Sequence, residues 1–188
     1  MSNAIEYRTV TAVGAARAIK VAFKRKRPVF LWGPPGIGKS EVVAGIVESM
    51  GGIVYDLRLG QMDPTDLRGM PFFNKEIGLM DWAPPIDLPT AEVAAQYPIV
   101  GLFLDEMNGA APSVQAAAYQ LILNRRMGEY VLPDNVVIIA AGNRESDKGV
   151  TYRMPTPLAN RFIHIEMRPD FEAWLDWAVN NDMHEDVV

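Results

Sequence analysis

The 188-residue sequence contains no cysteine, which excludes a disulfide framework, a thiolate metal site and a cysteine nucleophile together. That lack suits a reducing compartment, and the cytoplasm is the expected location. Histidine is nearly as scarce. His164 and His184 stand far apart with no carboxylate at metal-ligand spacing, so a zinc site is not expected. No apolar run approaches the roughly 18 residues that suggest a membrane-crossing helix, and runs such as Val136–Ala141 are strand-length. The small-residue stretch Val10–Ala16 is broken by Thr and Gly, runs into Arg17 and lacks a charged leader, which argues against a signal peptide. Positive charge is also in deficit: 18 Lys and Arg against 23 Asp and Glu leave a net charge of −5. No broad cationic surface is available for a phosphate backbone, so nucleic acid is a disfavoured partner.

What is present reads as an ordinary globular chain, 49% hydrophobic and 22% charged, long enough for one core plus an appendage. Short apolar runs alternate with helical patterns, which predicts an α/β fold with a parallel sheet flanked by helices. The expected strands are Val29–Trp32, Ile53–Leu57, Ile99–Leu104, Val136–Ala141 and Phe162–Met167. Ala12, Ala16, Ile19 and Phe23 recur at helical spacing before the first strand, and Lys24–Arg27 closes that helix with positive charge. Two further helices are expected, from Lys39 to Met50 and from about Val114 to Asn124. The stretch Gly60–Pro98, rich in proline and glycine, reads as an insertion or set of long loops containing a small hairpin around Phe72–Met80. After Pro169, Asp170 is the expected N-cap of a last helix whose stripe is Phe171, Trp174, Leu175 and Ala178.

Gly33-Pro34-Pro35-Gly36-Ile37-Gly38-Lys39-Ser40 matches G-x-x-x-x-G-K-[ST] between an expected strand and an expected helix. Glycines allow backbone N–H groups to curl around phosphate oxygens, and the helix N-terminus adds positive potential. Lys39 would reach the β- and γ-phosphates, and Ser40 offers a small hydroxyl to Mg²⁺, an ion that takes few protein ligands. The candidate nucleotide-binding residues are therefore Gly33 through Glu41.

Gly101-Leu102-Phe103-Leu104-Asp105-Glu106 is an apolar strand ending in two carboxylates, at the end of a parallel sheet where ligands bind. Asp105 is the candidate partner for Mg²⁺, directly or through water. Glu106 is the candidate for orienting an attacking water, which hydrolysis requires and transfer to a bound alcohol does not. Val136–Gly142 leads to Asn143, an amide placed to bond that water or the γ-phosphate.

GPPGIGKS, LFLDEMN, AAGNR and PLANRF, in this order and spacing, resemble an AAA+ ATPase, and DPTDLRGMP resembles the MoxR-like and related McrB/dynein-type branch. The resemblance implies a P-loop NTPase core with a five-stranded parallel sheet, assembly into rings that are usually hexameric, and nucleotide bound between neighbouring subunits. It places Lys39 and Ser40 in Walker A, Asp105 and Glu106 in Walker B, and Asn143 at sensor 1. Arg161 falls where such proteins carry an arginine finger, a guanidinium that neutralises charge at the neighbour's phosphoryl group. Arg153 and Arg144 also follow the sensor strand and compete for that role. Arg125, Arg126 and the run Lys24–Arg27 read as solvated charge.

Pore loops facing a substrate are implied within Gly60–Pro98, with Phe72 and Phe73 as candidate contacts, although adjacent aromatics also serve as packing. Residues 1–169 are then the nucleotide-binding core and 170–188 only the first helix of the usual lid, so no second sensor arginine is assigned. A core fragment and a natural short form both fit. The expected function is Mg²⁺-dependent ATP hydrolysis by a homo-oligomeric ring that remodels a protein partner. Two other readings stay open: a nucleic-acid motor or GTP-using restriction subunit of the same superfamily, and a non-hydrolysing nucleotide switch or scaffold.

Overall fold

Strands built from unbroken Val, Ile, Leu and Phe must be covered on both faces, because no polar face is left for water. The computed structural model describes residues 9–144 and 151–180, and His184 lies outside them. In chain order the elements are β1 (Thr9–Val10), α1 (Ala12–Lys24), β2 (Val29–Trp32), α2 (Lys39–Glu48), β3 (Ile53–Arg58), a short 3₁₀ turn (Leu59–Gln61), α3 (Pro64–Arg68), β4 (Met70–Asn74), β5 (Leu79–Ala83) and α4 (Ala91–Ala94). They continue with β6 (Val100–Asp105), α5 (Pro112–Asn124), β7 (Arg126–Met127), β8 (Tyr130–Val131), β9 (Val136–Gly142), α6 (Thr156–Ala159), β10 (Ile163–Met167) and α7 (Phe171–Asn180).

The main sheet is parallel throughout, in the order β1-β10-β2-β9-β6-β3. After β2 the chain crosses to the β3 edge, steps back through β6 and β9, and then passes to the other side of β2. That reversal opens a crevice at the carboxyl ends of β2 and β9. Alternate residues serve two cores: Val100, Leu102 and Leu104 of β6 join Val114, Ala118 and Leu121 of α5, whereas Phe103 joins Ile19 of α1 and Val43 and Val47 of α2. Each such fully buried large side chain contributes roughly 1.5–3 kcal/mol.

All five expected strands form, and a sixth joins them. Thr9 and Val10 pair with Glu166 and Met167 and cover the outer edge of β10, a two-residue strand too short to leave a periodic trace in the sequence. In α1 the Thr11 hydroxyl caps the first turn by accepting from the Gly14 N–H, 3.3 Å, and the buried stripe is Ala15, Ile19, Ala22 and Phe23. Ala12 and Ala16 are half-buried beside it.

The Gly60–Pro98 stretch is more ordered than a set of loops. Asp63 and Asp66 form a capping box on α3, and Leu67, Leu88 and Ala94 anchor the segment in the α5-side core. The expected hairpin is present over a longer span, β4 pairing antiparallel with β5 from Met70↔Ala83 to Asn74↔Leu79. Phe72 and Phe73 are 44% and 58% exposed, so neither is a core residue. In α7, Ala178 is buried and Leu175 half-buried, but Phe171 and Trp174 remain exposed and stack on each other at 5.9 Å.

Arg125 departs from the solvated helix end expected for it. Its backbone is left-handed, φ +52°, and its guanidinium donates to the carbonyls of Pro133, 2.7 Å, and Val136, 2.9 Å. Burial pulls its pKa below the usual arginine value, with Asp134 and Tyr130 opposing that shift.

Candidate active site

The loop between β2 and α2 turns on two glycines with left-handed backbones, Gly36 at φ +76° and Gly38 at φ +84°. No heavy atom lies within 4 Å of a Cβ built at either position, so the backbone conformation, not crowding, calls for glycine there. Gly38 caps α2 without a side-chain bond, which leaves the first-turn N–H groups of the helix directed into the loop. Such a turn suits an anion. Ser40 and Glu41 are exposed on this turn, Pro35 and Gly36 are exposed at the loop tip, and Pro34 and Ile37 are half-buried. Gly33 is buried at the end of β2.

Lys39 is only 9% exposed, and a buried ammonium needs acceptors. Its Nζ donates to the carbonyls of Gly33, 2.9 Å, and Pro34, 3.0 Å, and to Oδ1 of Asn143, 3.2 Å. The phosphate-loop lysine and the tip of β9 are thereby in direct contact.

At the end of β6 the chain turns sharply. Glu106 has φ +53°, a conformation costing a non-glycine residue about 1–2 kcal/mol. Local bonds hold it there: Asp105 Oδ1 accepts the Glu106 N–H, 2.8 Å, and the Glu106 carbonyl accepts from Gly109, 2.8 Å, and Ala110, 3.1 Å. Such strain beside a ligand crevice fits a side chain aimed for chemistry. The carboxylate of Glu106 lies over Gly60, where a Cβ would come within 2.6 Å of Oε2. A third acid sits nearby on β3. Burial and then the charge of Asp105 hold the Asp56 carboxyl above its ordinary range, with Arg58 pulling the other way.

A family model for the "ATPase family associated with various cellular activities" matches residues 29–169. The chain belongs to the AAA ATPase family. Three curated proteins are similar to it. Protein MoxR of Methylorubrum extorquens is 28% identical over 185 residues, covering 92% of this chain and 51% of its own length. Midasin of Giardia intestinalis is 28% identical over 179 residues, 91% of this chain and 4% of its own, and a proteasome-associated ATPase of Jonesia denitrificans is 31% identical over 170 residues, 81% and 30%. The chain thus spans about half or less of each of these relatives. A candidate ATPase from Cytophaga hutchinsonii has the same fold, with a TM-score of 0.63 at 18% identity over 94% of this chain and 52% of the other. The MoxR-like resemblance read from the motifs stands with these relatives.

The Gly33–Ser40 loop, the Asp105–Glu106 pair and Asn143 come together at the tips of β2, β6 and β9. Ser40 and Asp105 would be the residues to hold Mg²⁺ here, since a hydroxyl with one carboxylate fits an ion that keeps most of its water. Among the described residues no group of three or more His, Cys, Asp or Glu could hold a metal, and no helix is long and apolar enough to cross a membrane.

The arginine candidates separate. Arg144, next to Asn143 in the chain, donates to Glu166 at 2.7 Å. Arg153 is exposed on the segment before α6. Arg161 is exposed at the opposite end of the sheet from Walker A: Ile163, two residues on, donates to Pro28 just ahead of β2. A strand length of roughly 13 Å, at about 3.3 Å per residue, separates that end from its own phosphate loop.

Two arrangements went unread in the sequence. Trp32 Nε1 donates to His164 Nδ1, 2.9 Å, so the neutral ring carries its proton on Nε2, which donates to the Ala159 carbonyl, 2.8 Å. This ties the residue before Walker A to the end of α6. The other is Asn108, 4% exposed, whose side chain bonds the backbone of Asn143. Its signal was the asparagine in DEMN, two residues past the acid pair.

Proposed function

We propose that this chain hydrolyses ATP with Mg²⁺ at sites shared between copies in a ring, most simply a hexamer, and couples turnover to remodelling a protein partner. The observation that carries the reading is the convergence of Lys39, Asn143 and the strained Glu106 at one end of the sheet, with Arg161 at the other. Residues 1–169 are in this reading the nucleotide-binding core and 170–188 the first helix of a lid.

The chemistry is attack of water on the γ-phosphorus with departure of ADP. First-turn N–H groups of α2 and the Lys39 ammonium bind the β- and γ-oxygens and stabilise charge that builds as the bond breaks. Glu106 orients the water and takes its proton, and Asn143 holds the water or a γ-oxygen from the next strand. Mg²⁺, held by Ser40 and Asp105, would supply neutralising charge on the β- and γ-oxygens. Arg161 is too distant to act on its own loop, which supports action on the neighbour's phosphoryl group.

The exposed aromatic hairpin, with Phe72 and Phe73, supports contact with a protein client. The cysteine-free sequence suits work in the cytoplasm. The test is phosphate release across protein concentration. Specific activity rising with concentration is expected for shared sites, and Glu106→Gln should retain bound ATP without turnover. Concentration-independent activity would remove the ring from the mechanism, and unchanged phosphate release by Glu106→Gln would remove the acid.

A further inference from the structure

We propose that Asn108 is a positioning residue for hydrolysis, setting Asn143 against Glu106; the inference rests on the reading of those two residues given above. β6 pairs with β9 only as far as Leu104↔Ala140. Beyond it Glu106 turns the chain, and the register with β9 would be lost there. Instead the Met107 N–H donates to the Ala141 carbonyl, 2.9 Å, and the Asn108 carboxamide then takes the place of a strand partner. Its Nδ2 donates to the Asn143 carbonyl, 2.6 Å, and its Oδ1 accepts the Asn143 N–H, 3.1 Å.

Only an amide can do both, because the two backbone groups of one residue ask for a donor and an acceptor side by side. The site is built around that amide. A Cβ on Gly142 would meet Asn108 Oδ1 and Cγ on one side and the buried Phe30 ring, 2.9 Å, on the other, so the residue before Asn143 has no room for a side chain. The Asn108 carbonyl accepts from Tyr152, 2.7 Å, which secures the segment that follows the sensor strand. Asn143, held by its backbone, is left with its own Oδ1 facing Lys39 Nζ. Asn108 lies two residues from Glu106 on a turn fixed by three local hydrogen bonds. One side chain thus sets the sensor amide at a defined distance from the acid, and both would touch the same water.

The experiment uses the full chain with Asn108→Leu, which keeps the volume and loses both bonds, Asn108→Asp, which keeps the acceptor and loses the donor, and Asn143→Ala. Steady-state ATP turnover, affinity for a fluorescent ATP analogue and the thermal midpoint are read for each. Asn108→Leu and Asn108→Asp should lower kcat about tenfold to a hundredfold, as displaced reacting groups do, with nucleotide affinity within about twofold. In an Asn143→Ala background the Asn108 substitutions should have no further effect on kcat, since the group they position is gone. Should Asn108→Leu not fold, Asn108→Asp carries the comparison, since it keeps the volume and one of the two bonds.

Unchanged kcat in Asn108→Asp, or additive losses in the double variant, would overturn the inference while leaving the proposed function standing. Unchanged kcat in Asn143→Ala would overturn both, since Asn108 would have nothing to act through. A fall in affinity parallel to kcat would mark Asn108 as a support for the fold and not for the water.

Discussion

Replacing Gly60 with alanine is expected to slow turnover while leaving the fold and nucleotide binding intact. The new methyl would stand 2.6 Å from Glu106 Oε2 and 3.4 Å from Glu106 Cβ. The second contact is ordinary, so the backbone of the Walker B turn need not shift. The carboxylate must retreat by about 0.8 Å, the difference between 2.6 Å and a normal 3.4 Å contact. A displacement near 1 Å at a reacting group lowers rates by about a hundredfold, so kcat should fall roughly thirtyfold to a hundredfold. That corresponds to about 2–2.7 kcal/mol of barrier at 1.36 kcal/mol per tenfold. Gly60 does not have a left-handed backbone, so alanine meets no conformational penalty and should add about 0.4–1 kcal/mol of stability through the unfolded chain. Single-turnover phosphate release at saturating ATP reads the chemical step, a fluorescent-nucleotide titration reads binding, and a thermal melt reads stability. Wild-type kcat in a folded Gly60→Ala protein would refute the argument, since it would show that the observed seat of the Glu106 carboxylate is not the one used in hydrolysis.

Arg161→Ala should bind ATP normally and lose most of its turnover, by about 10³-fold if the guanidinium stabilises transferring phosphoryl charge; mixing it with Lys39→Met protein should restore activity at the mixed interfaces, and the absence of any rescue would confine Arg161 to its own subunit. Lys39→Met alone removes an ammonium that bonds three oxygens, so calorimetry should show ATP affinity falling by at least about tenfold even though nothing else in the loop changes. Burial, then Tyr55, pushes the Tyr130 phenol up to about 12 against the opposing Arg125. The unfolded phenol loses its proton near 10, so Tyr130 leaves stability intact below about pH 10 and withdraws it as pH rises toward 12. Tyr130→Phe gives up the bond to the Pro89 carbonyl, 2.7 Å, about 1 kcal/mol at neutral pH, and should show a shallower loss of stability from pH 10 to 12; equal slopes in urea unfolding would contradict this.

Much of the fold is legible in residue order. Strands buried on both faces announce themselves as apolar runs, and their alternation with helices excludes most other architectures. Short and edge features are not legible in this way. β1 exists because β10 offers it an unpaired edge, and Arg125 looks solvated until the chain folds back and presents two carbonyls to it. Nor does spacing show that Phe72 and Phe73 project from a hairpin while Leu67 and Leu88, in the same stretch, anchor it.

The phosphate loop, the acid pair and the polar end of the sensor strand belong to the sequence by itself, because each depends on neighbours in the chain: glycines that permit a left-handed turn, a helix that begins at once, a strand that ends in charge. The relations among these parts belong to the tertiary structure. Asn108 and Asn143 are 35 positions apart, and Lys39 and Asn143 are 104 apart. They meet because the strand order sets β9 between β2 and β6, which long-range packing of two cores decides and no local pattern encodes. The same packing turns Gly60 from a loop residue into the floor beneath Glu106, and it sets Arg161 at the end of the sheet opposite the Gly33–Ser40 loop.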